Sequence, residues 1–155
     1  METRSWHAED RDALIWMIWD FLNVSVERGG DVLPTERNVA RMLDNGMRWA
    51  TAGRPCLVAT VDGCGTPVGY VEWGWDEPSP FDVRWRTCFA FGTYVMPRFR
   101  GHGVARLLRE RARAMCDAAG IERIVGPVHL TNPVALADLA WHGWWPTAVQ
   151  MELMV

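Results

Sequence analysis

The 155-residue sequence is short of the features that define several protein classes. Its four cysteines, Cys56, Cys64, Cys88 and Cys116, form no C-x-x-C pair and do not cluster with histidine. That argues against a disulfide framework and against a metal site, and it favours free thiols in a reducing cytoplasm. No basic-then-apolar leader opens the chain, and no apolar run approaches the roughly 20 residues of a membrane span. Basic residues are not in excess: 16 against 19 acidic residues give a formal net charge of −3, the wrong balance for a protein that coats nucleic acid. Tyrosine is also scarce, Tyr94 being the only one besides Tyr70.

What remains is an ordinary globular composition, with 49% apolar and 23% charged residues, and one oddity, ten tryptophans. The length suits one domain over residues 1–155 with a sizeable core. Residues 3–6 look extended, and Glu9, Asp10 and Asp12 then place acid where a helix start favours it. Over 13–26, Leu14, Met17, Ile18, Phe21 and Leu22 make a helical face that Ile15, Trp16 and Trp19 widen. So broad an apolar face packs in the core, lines a ligand site or leaves room for a homodimer.

Thr35 can cap a second helix through Ala50, with a break expected at Asp44-Asn45-Gly46. Strands are expected over 56–61 and 68–75, joined by a hairpin turn at 62–67, and a longer one over 85–96. A loop containing two prolines separates the last two. Val104, Leu107, Leu108, Met115 and Ala118 or Ala119 then form the stripe of a third helix that Gly120 closes. A short strand over 121–130, a helix from Asn132-Pro133 to about Trp141, and a terminal strand over 147–155 complete the order β-α-α-β-β-β-α-β-α-β. Such an order describes one mixed-sheet α/β fold: antiparallel hairpins first, then a β-α-β crossover whose strands lie parallel.

The stretch Val95-Met96-Pro97-Arg98-Phe99-Arg100-Gly101-His102-Gly103-Val104-Ala105-Arg106 carries the chemistry. A strand hands over to a helix N-terminus, where free N–H groups and the positive end of the helix dipole favour an anion. Arg100 and Arg106 add charge, and Gly101 and Gly103 let a ligand approach the backbone without a Cβ in the way. Phosphate or pyrophosphate fits such a turn.

Together with two further features, this stretch resembles the GNAT acyltransferase superfamily. Arg100-Gly101-His102-Gly103-Val104-Ala105 fits that family's acyl-CoA pyrophosphate signature, and Tyr94-Val95-Met96-Pro97 precedes it as the family's fourth strand does. Asn132-Pro133-Val134-Ala135, with Gly143-Trp144 later, is similar to the block in which an asparagine opens a helix ending in Gly-aromatic. The resemblance implies an acetyl-CoA or other acyl-CoA co-substrate and no metal. It assigns the pyrophosphate to the backbone of Arg100, Gly101, His102, Gly103, Val104 and Ala105 with Arg106 beside it, and the pantetheine arm to Val95 and Asn132. Asn132 also suits a helix cap.

The implied reaction is direct attack by a primary amine, on a small molecule or an exposed peptide amino group, within a ternary complex. An ammonium of pKa about 10 needs a base, and a leaving thiolate of pKa about 8.5 is modestly helped by an acid. Many family members carry a tyrosine acid seven residues after the asparagine; here that residue is Leu139. Tyr94, His129 and Glu72 are the remaining candidates, Glu72 as base. Trp73, Trp75 and Trp85, with Trp16 and Trp19, either fill the core or wall a pocket for a flat or apolar acceptor. Two alternatives stay open: a non-catalytic acyl-CoA-binding or interaction module, and transfer of a longer acyl group or to a nucleotide or nucleobase amine.

Overall fold

A computed structural model describes residues 1–61, 65–75 and 86–147 of the chain. The expectations for the turn at 62–64 with Cys64, for 77–81, for Trp85 and for a terminal strand over 148–155 lie outside the described residues. The five described strands form one sheet in the order β1-β2-β3-β4-β5: β1 Glu2–Ser5, β2 Cys56–Thr60, β3 Pro67–Gly74, β4 Thr87–Val95 and β5 Arg123–Val125. Neighbours are antiparallel from β1 to β4, and β5 runs parallel to β4. A helix lies between β4 and β5 in sequence, and a crossover of that kind makes its strands parallel. The mixed α/β fold with an antiparallel-then-parallel sheet is as the sequence pattern implies.

Four helices accompany the sheet: α1 Arg11–Glu27, α2 Glu36–Thr51, α3 Val104–Ala118 and α4 Pro133–Trp141. On one face Leu14, Met17, Ile18 and Leu22 of α1 and Val39 and Leu43 of α2 pack on Cys56, Val58, Tyr70 and Tyr94. On the other, Val104, Leu108, Ala112 and Cys116 of α3 pack on Leu57, Val71, Trp73 and Cys88. With both faces covered, all eight residues of β3 are buried, and Glu72 is the only charged one among them. No helix among the described residues is long and apolar enough to cross a membrane.

Three local expectations need correction. The helix α2 runs unbroken through Asp44-Asn45-Gly46. A Cβ at Gly46 would fall 2.0 Å from the Trp6 ring, so this glycine makes room for a tryptophan and does not end a helix. Residues 121–130 do not form one strand, because pairing with β4 stops at Val125. Gly126 then lies so close that a Cβ there would approach the Ala90 carbonyl oxygen to 2.9 Å, and Pro127 has no N–H to offer a ladder. The buried stripe of α3 runs through Ala112 and Cys116, while Ala118 is exposed. Of the alternatives for the broad apolar face of α1, full core packing is excluded for Trp16 and Trp19, which are 50% and 39% exposed.

Candidate active site

Because β5 pairs only with Thr87, Cys88 and Phe89, the edge of β4 from Ala90 to Val95 has no strand beside it among the described residues. The two chains diverge there, and a groove of about 730 Å³ opens between them. Its walls are β4 from Ala90 to Val95, the start of α3, the segment 126–129 that follows β5, the inner side of α4, and Phe21, Val24, Ser25 and Arg28 of α1 and its end. A strand edge with free N–H and C=O groups can take an extended amide-bearing ligand as an additional strand would pair.

The α3 end of the groove is an anion cradle. Gly101 and Gly103 adopt φ of +77° and +79°, conformations that L side chains rarely take, and a Cβ on either would point into open space. Glycine is required there by backbone shape and leaves the approach clear. Gly103 is the N-cap and has no side-chain cap. The first helical bond, Leu107 N–H to the Gly103 carbonyl at 3.0 Å, leaves the N–H groups of Val104, Ala105 and Arg106 outside the ladder. The Arg100 Nε donates to the Val95 carbonyl oxygen at 2.9 Å and so ties the turn to the end of β4. Arg106 lies at the rim in an exposed pair with Glu110 at 2.9 Å. His102 is exposed, with Nδ1 2.8 Å from the Arg100 carbonyl, and does not line the groove.

Across the groove Asn132 caps α4, its Oδ1 accepting from Ala135 N–H at 3.3 Å. The same oxygen accepts from Nη1 of Arg28 at 3.0 Å. With Oδ1 taken twice, the amide NH2 is the end of Asn132 left to donate to a ligand. The Thr131 hydroxyl donates to the Arg28 carbonyl, so the end of α1 is latched to the start of α4 at two points. Deeper along α4, Arg109 of α3 pairs with Asp138 at 2.7 Å, while Leu139, His142 and Trp144 complete that wall.

The three residues singled out for proton transfer are placed differently. The Tyr94 hydroxyl donates to Oδ2 of Asp20 on α1 at 2.5 Å. Burial, the bond to Asp20 and the Asp20 charge all push the phenol above its usual range, against the opposing Arg100 guanidinium. Tyr94 is thus held neutral, with its proton committed to Asp20. His129 is exposed on the groove wall three residues before Asn132. Glu72 does not line the groove. It lies behind β4, opposite Gly92, at 3% exposure, and its Oε2 is buried without a hydrogen-bond partner. Burial pushes its carboxyl up to about 8.

Sequence reasoning passed over Asp20, Arg28 and Arg109. Asp20 had a signal, since it is the one charged residue in the apolar run 13–26. Arg28 and Arg109 had none, because their partners lie 104 and 29 residues away.

A model of the acetyltransferase (GNAT) family matches residues 11–144. No curated protein matches the sequence. Among solved structures, a variant of a Bacillus halodurans protein superposes with a TM-score of 0.76 at 20% identity, covering 100% of this chain and 99% of that one. The ribosomal-protein-alanine N-acetyltransferase of Brucella melitensis gives 0.70 at 22% identity, over 92% of this chain and 83% of that one. The PaiA N-acetyltransferase of Thermoplasma acidophilum, solved with coenzyme A, gives 0.68 at 16% identity, over 91% and 87%. At these identities the likeness is one of fold.

Proposed function

The chain belongs to the GNAT acetyltransferase family, and from that premise we propose that it is a single domain over residues 1–155 that moves an acetyl group from acetyl-CoA to a primary amine by direct attack in a ternary complex. One observation carries the donor side: the open N-terminus of α3, with two left-handed glycines and no cap, meets the free edge of β4 end to end. Those features fit a ligand with a pyrophosphate at one end and an amide-bearing arm at the other. The backbone from Arg100 to Arg106 holds the pyrophosphate. The β4 edge as far as Val95 and the Asn132 amide NH2 take the arm. Free, buried Cys56, Cys88 and Cys116 support a reducing, cytoplasmic setting.

Acetyl-CoA supplies a thioester, and the protein positions it and handles protons. The β4 edge near Gly92 offers main-chain N–H groups to a developing oxyanion. Glu72 takes the proton of the incoming ammonium, since a carboxylate whose pKa lies near working pH is suited to that transfer. Leu139 occupies the family's tyrosine position, and Tyr94 has its hydroxyl turned to Asp20. His129 is therefore the side chain assigned to proton delivery at the thiolate, with water as its substitute. Tyr94 contributes by fixing α1 against β4.

Thermal shift with acetyl-CoA, joined to thiol release, tests the donor assignment. Acetyl-CoA at about 100 times its Kd should stabilise the wild type by about 2.7 kcal/mol. Gly103→Asp places a carboxylate in the anion cradle and should abolish the shift. An unchanged shift in that variant would remove the cradle from the reading.

A further inference from the structure

The side of the groove toward α1 and α2 carries features that donor binding leaves unused. In the β3–β4 pairing Glu72 stands opposite Gly92 and Trp73 opposite Ala90, so Phe91 is an extra residue in β4. This bulge brings Phe89, Phe91 and Gly92 onto one side of the sheet. The Phe91 ring lies 5.1 Å from Trp49 of α2 and 6.0 Å from Phe89. Phe89 and Phe91 nevertheless remain 46% and 48% exposed. They form an aromatic floor that begins in the groove at Phe91 and that the described residues leave about half-exposed.

Beside the floor, Gly92 leaves a window. A Cβ there would lie 3.4 Å from Cε2 and 3.6 Å from the hydroxyl of Tyr70, and 3.7 Å from Phe21. Behind it lie the Tyr70 hydroxyl and the Glu72 carboxylate, both buried and each with an oxygen that has no partner. Buried polar atoms without partners are rare in folded proteins and mark places where a ligand or water completes the bonding. Among the described groove-lining residues the one carboxylate, Asp138, is taken by Arg109, and Arg100 and Arg106 belong to the donor cradle. The extra cationic groups of a polyamine or a basic peptide would find no free carboxylate on that wall, whereas a single amino group on a neutral body needs none beyond Glu72.

We propose that the acceptor is a monoamine carried on an aromatic or similarly flat apolar group, the ring lying on Phe89, Phe91 and Trp49 and the amino group over Gly92, within reach of Glu72. This rests on the acyl-transfer reading above and names its substrate class. In the step, a C–N bond forms at the acetyl carbonyl carbon and the C–S bond breaks. One ammonium proton passes to the Glu72 carboxylate before attack, the second N–H proton leaves the tetrahedral adduct to water, and the departing thiolate takes a proton from His129 or water. Among the described residues the titratable groups that interact with Glu72 are Cys56 from β2 and Tyr70 from β3; Tyr94 of β4 stacks on Tyr70 and bonds to Asp20 of α1. Burial pushes the first two well above their usual range, so they stay neutral while Glu72 titrates.

The test uses the full chain, acetyl-CoA and three acceptors: 2-phenylethylamine, an alkylamine of equal length, and spermidine. The proposal expects kcat/KM for the aryl amine to exceed both others by at least about tenfold, as one buried ring can supply. Phe91→Ala should erase that preference through KM. Gly92→Ala, which fits at van der Waals distance, should leave the acetyl-CoA thermal shift intact and lower kcat for every amine. Equal or better use of spermidine or the alkylamine overturns the aromatic acceptor and leaves acyl transfer standing. Full kcat in Gly92→Ala overturns the route to Glu72. Binding of acetyl-CoA without thiol release to the aryl amine overturns the proposal, and no binding at all overturns the acyl-transfer reading with it.

Discussion

Asp10, at the start of α1, and Glu72, in β3, are both taken out of water, at 2% and 3% exposure. Their surroundings differ. Asp10 receives two hydrogen bonds from the Arg4 guanidinium, at 2.6 and 2.7 Å, and a third from His7 N–H at 2.9 Å. Burial would raise its pKa, but those bonds and the Arg4 charge win and hold it below the usual carboxylate range. Glu72 has burial alone, and moves the other way. One carboxylate is ionised and bonded in order to fold, and the other is left short of partners at a cost to folding. An expense of that kind is characteristic of functional sites.

The comparison breaks first on activity. Glu72→Gln should lower kcat/KM by roughly 10² to 10⁴, the usual reach of a general base. It should also flatten a wild-type profile that climbs with pH up to about 8, where the carboxyl ionises. Asp10→Asn, assayed where it is folded, should leave that profile alone. A flat wild-type profile would remove the base role.

Stability should show the reverse order. Asp10→Asn disrupts a buried, bidentate pair and should cost on the order of 2–3 kcal/mol, reduced from the fully buried case because Arg4 is one-third exposed. Urea unfolding measures it directly. In pH terms the two groups slope oppositely. The folded-state pKa of Asp10 is depressed, so its contribution is present above the unfolded carboxylate pKa and is lost as pH falls through the folded value. The folded-state pKa of Glu72 is raised, so its contribution is complete below the unfolded value of about 4.5 and is lost as pH rises toward about 8. Glu72→Gln should therefore match the wild type near pH 4.5 and exceed it above pH 8. A variant less stable than wild type at high pH would show that Glu72 has a partner after all.

The smallest effect is expected at Leu139, which is half-buried on the groove wall. Leu139→Ala should cost about 1 kcal/mol of packing and leave kcat within about twofold. Near-total loss of activity in the folded variant would give that position a chemical role.

Much of this layout is legible in residue order. Gly101 and Gly103 are readable because only glycine suits a left-handed turn at a helix start, and Asn132-Pro133 because capping is a local event. The alternation and spacing of apolar residues place the helices and most strands. What is not legible depends on contacts between distant segments. Gly46 reads as a helix breaker until Trp6 is seen to fill the space above it. Glu72 reads as a candidate base, but its burial is not visible until both faces of β3 are covered. Asp20 belongs with Tyr94, 74 positions away, and no periodicity connects them.

The latch between Arg28 and Asn132 has a consequence for how the protein comes into being on the ribosome. Its two partners are separated by 104 residues, so the groove cannot close until residue 132 has been made. Contacts of such separation are late and entropically expensive, whereas β2, β3 and β4 pair between neighbours in sequence and can assemble earlier. A nascent chain that ends before residue 132 holds the glycine turn and the strand edge but lacks the opposite wall. An acyl-CoA would therefore find both walls only once α4 has been made, and its binding would in turn hold α4 in place.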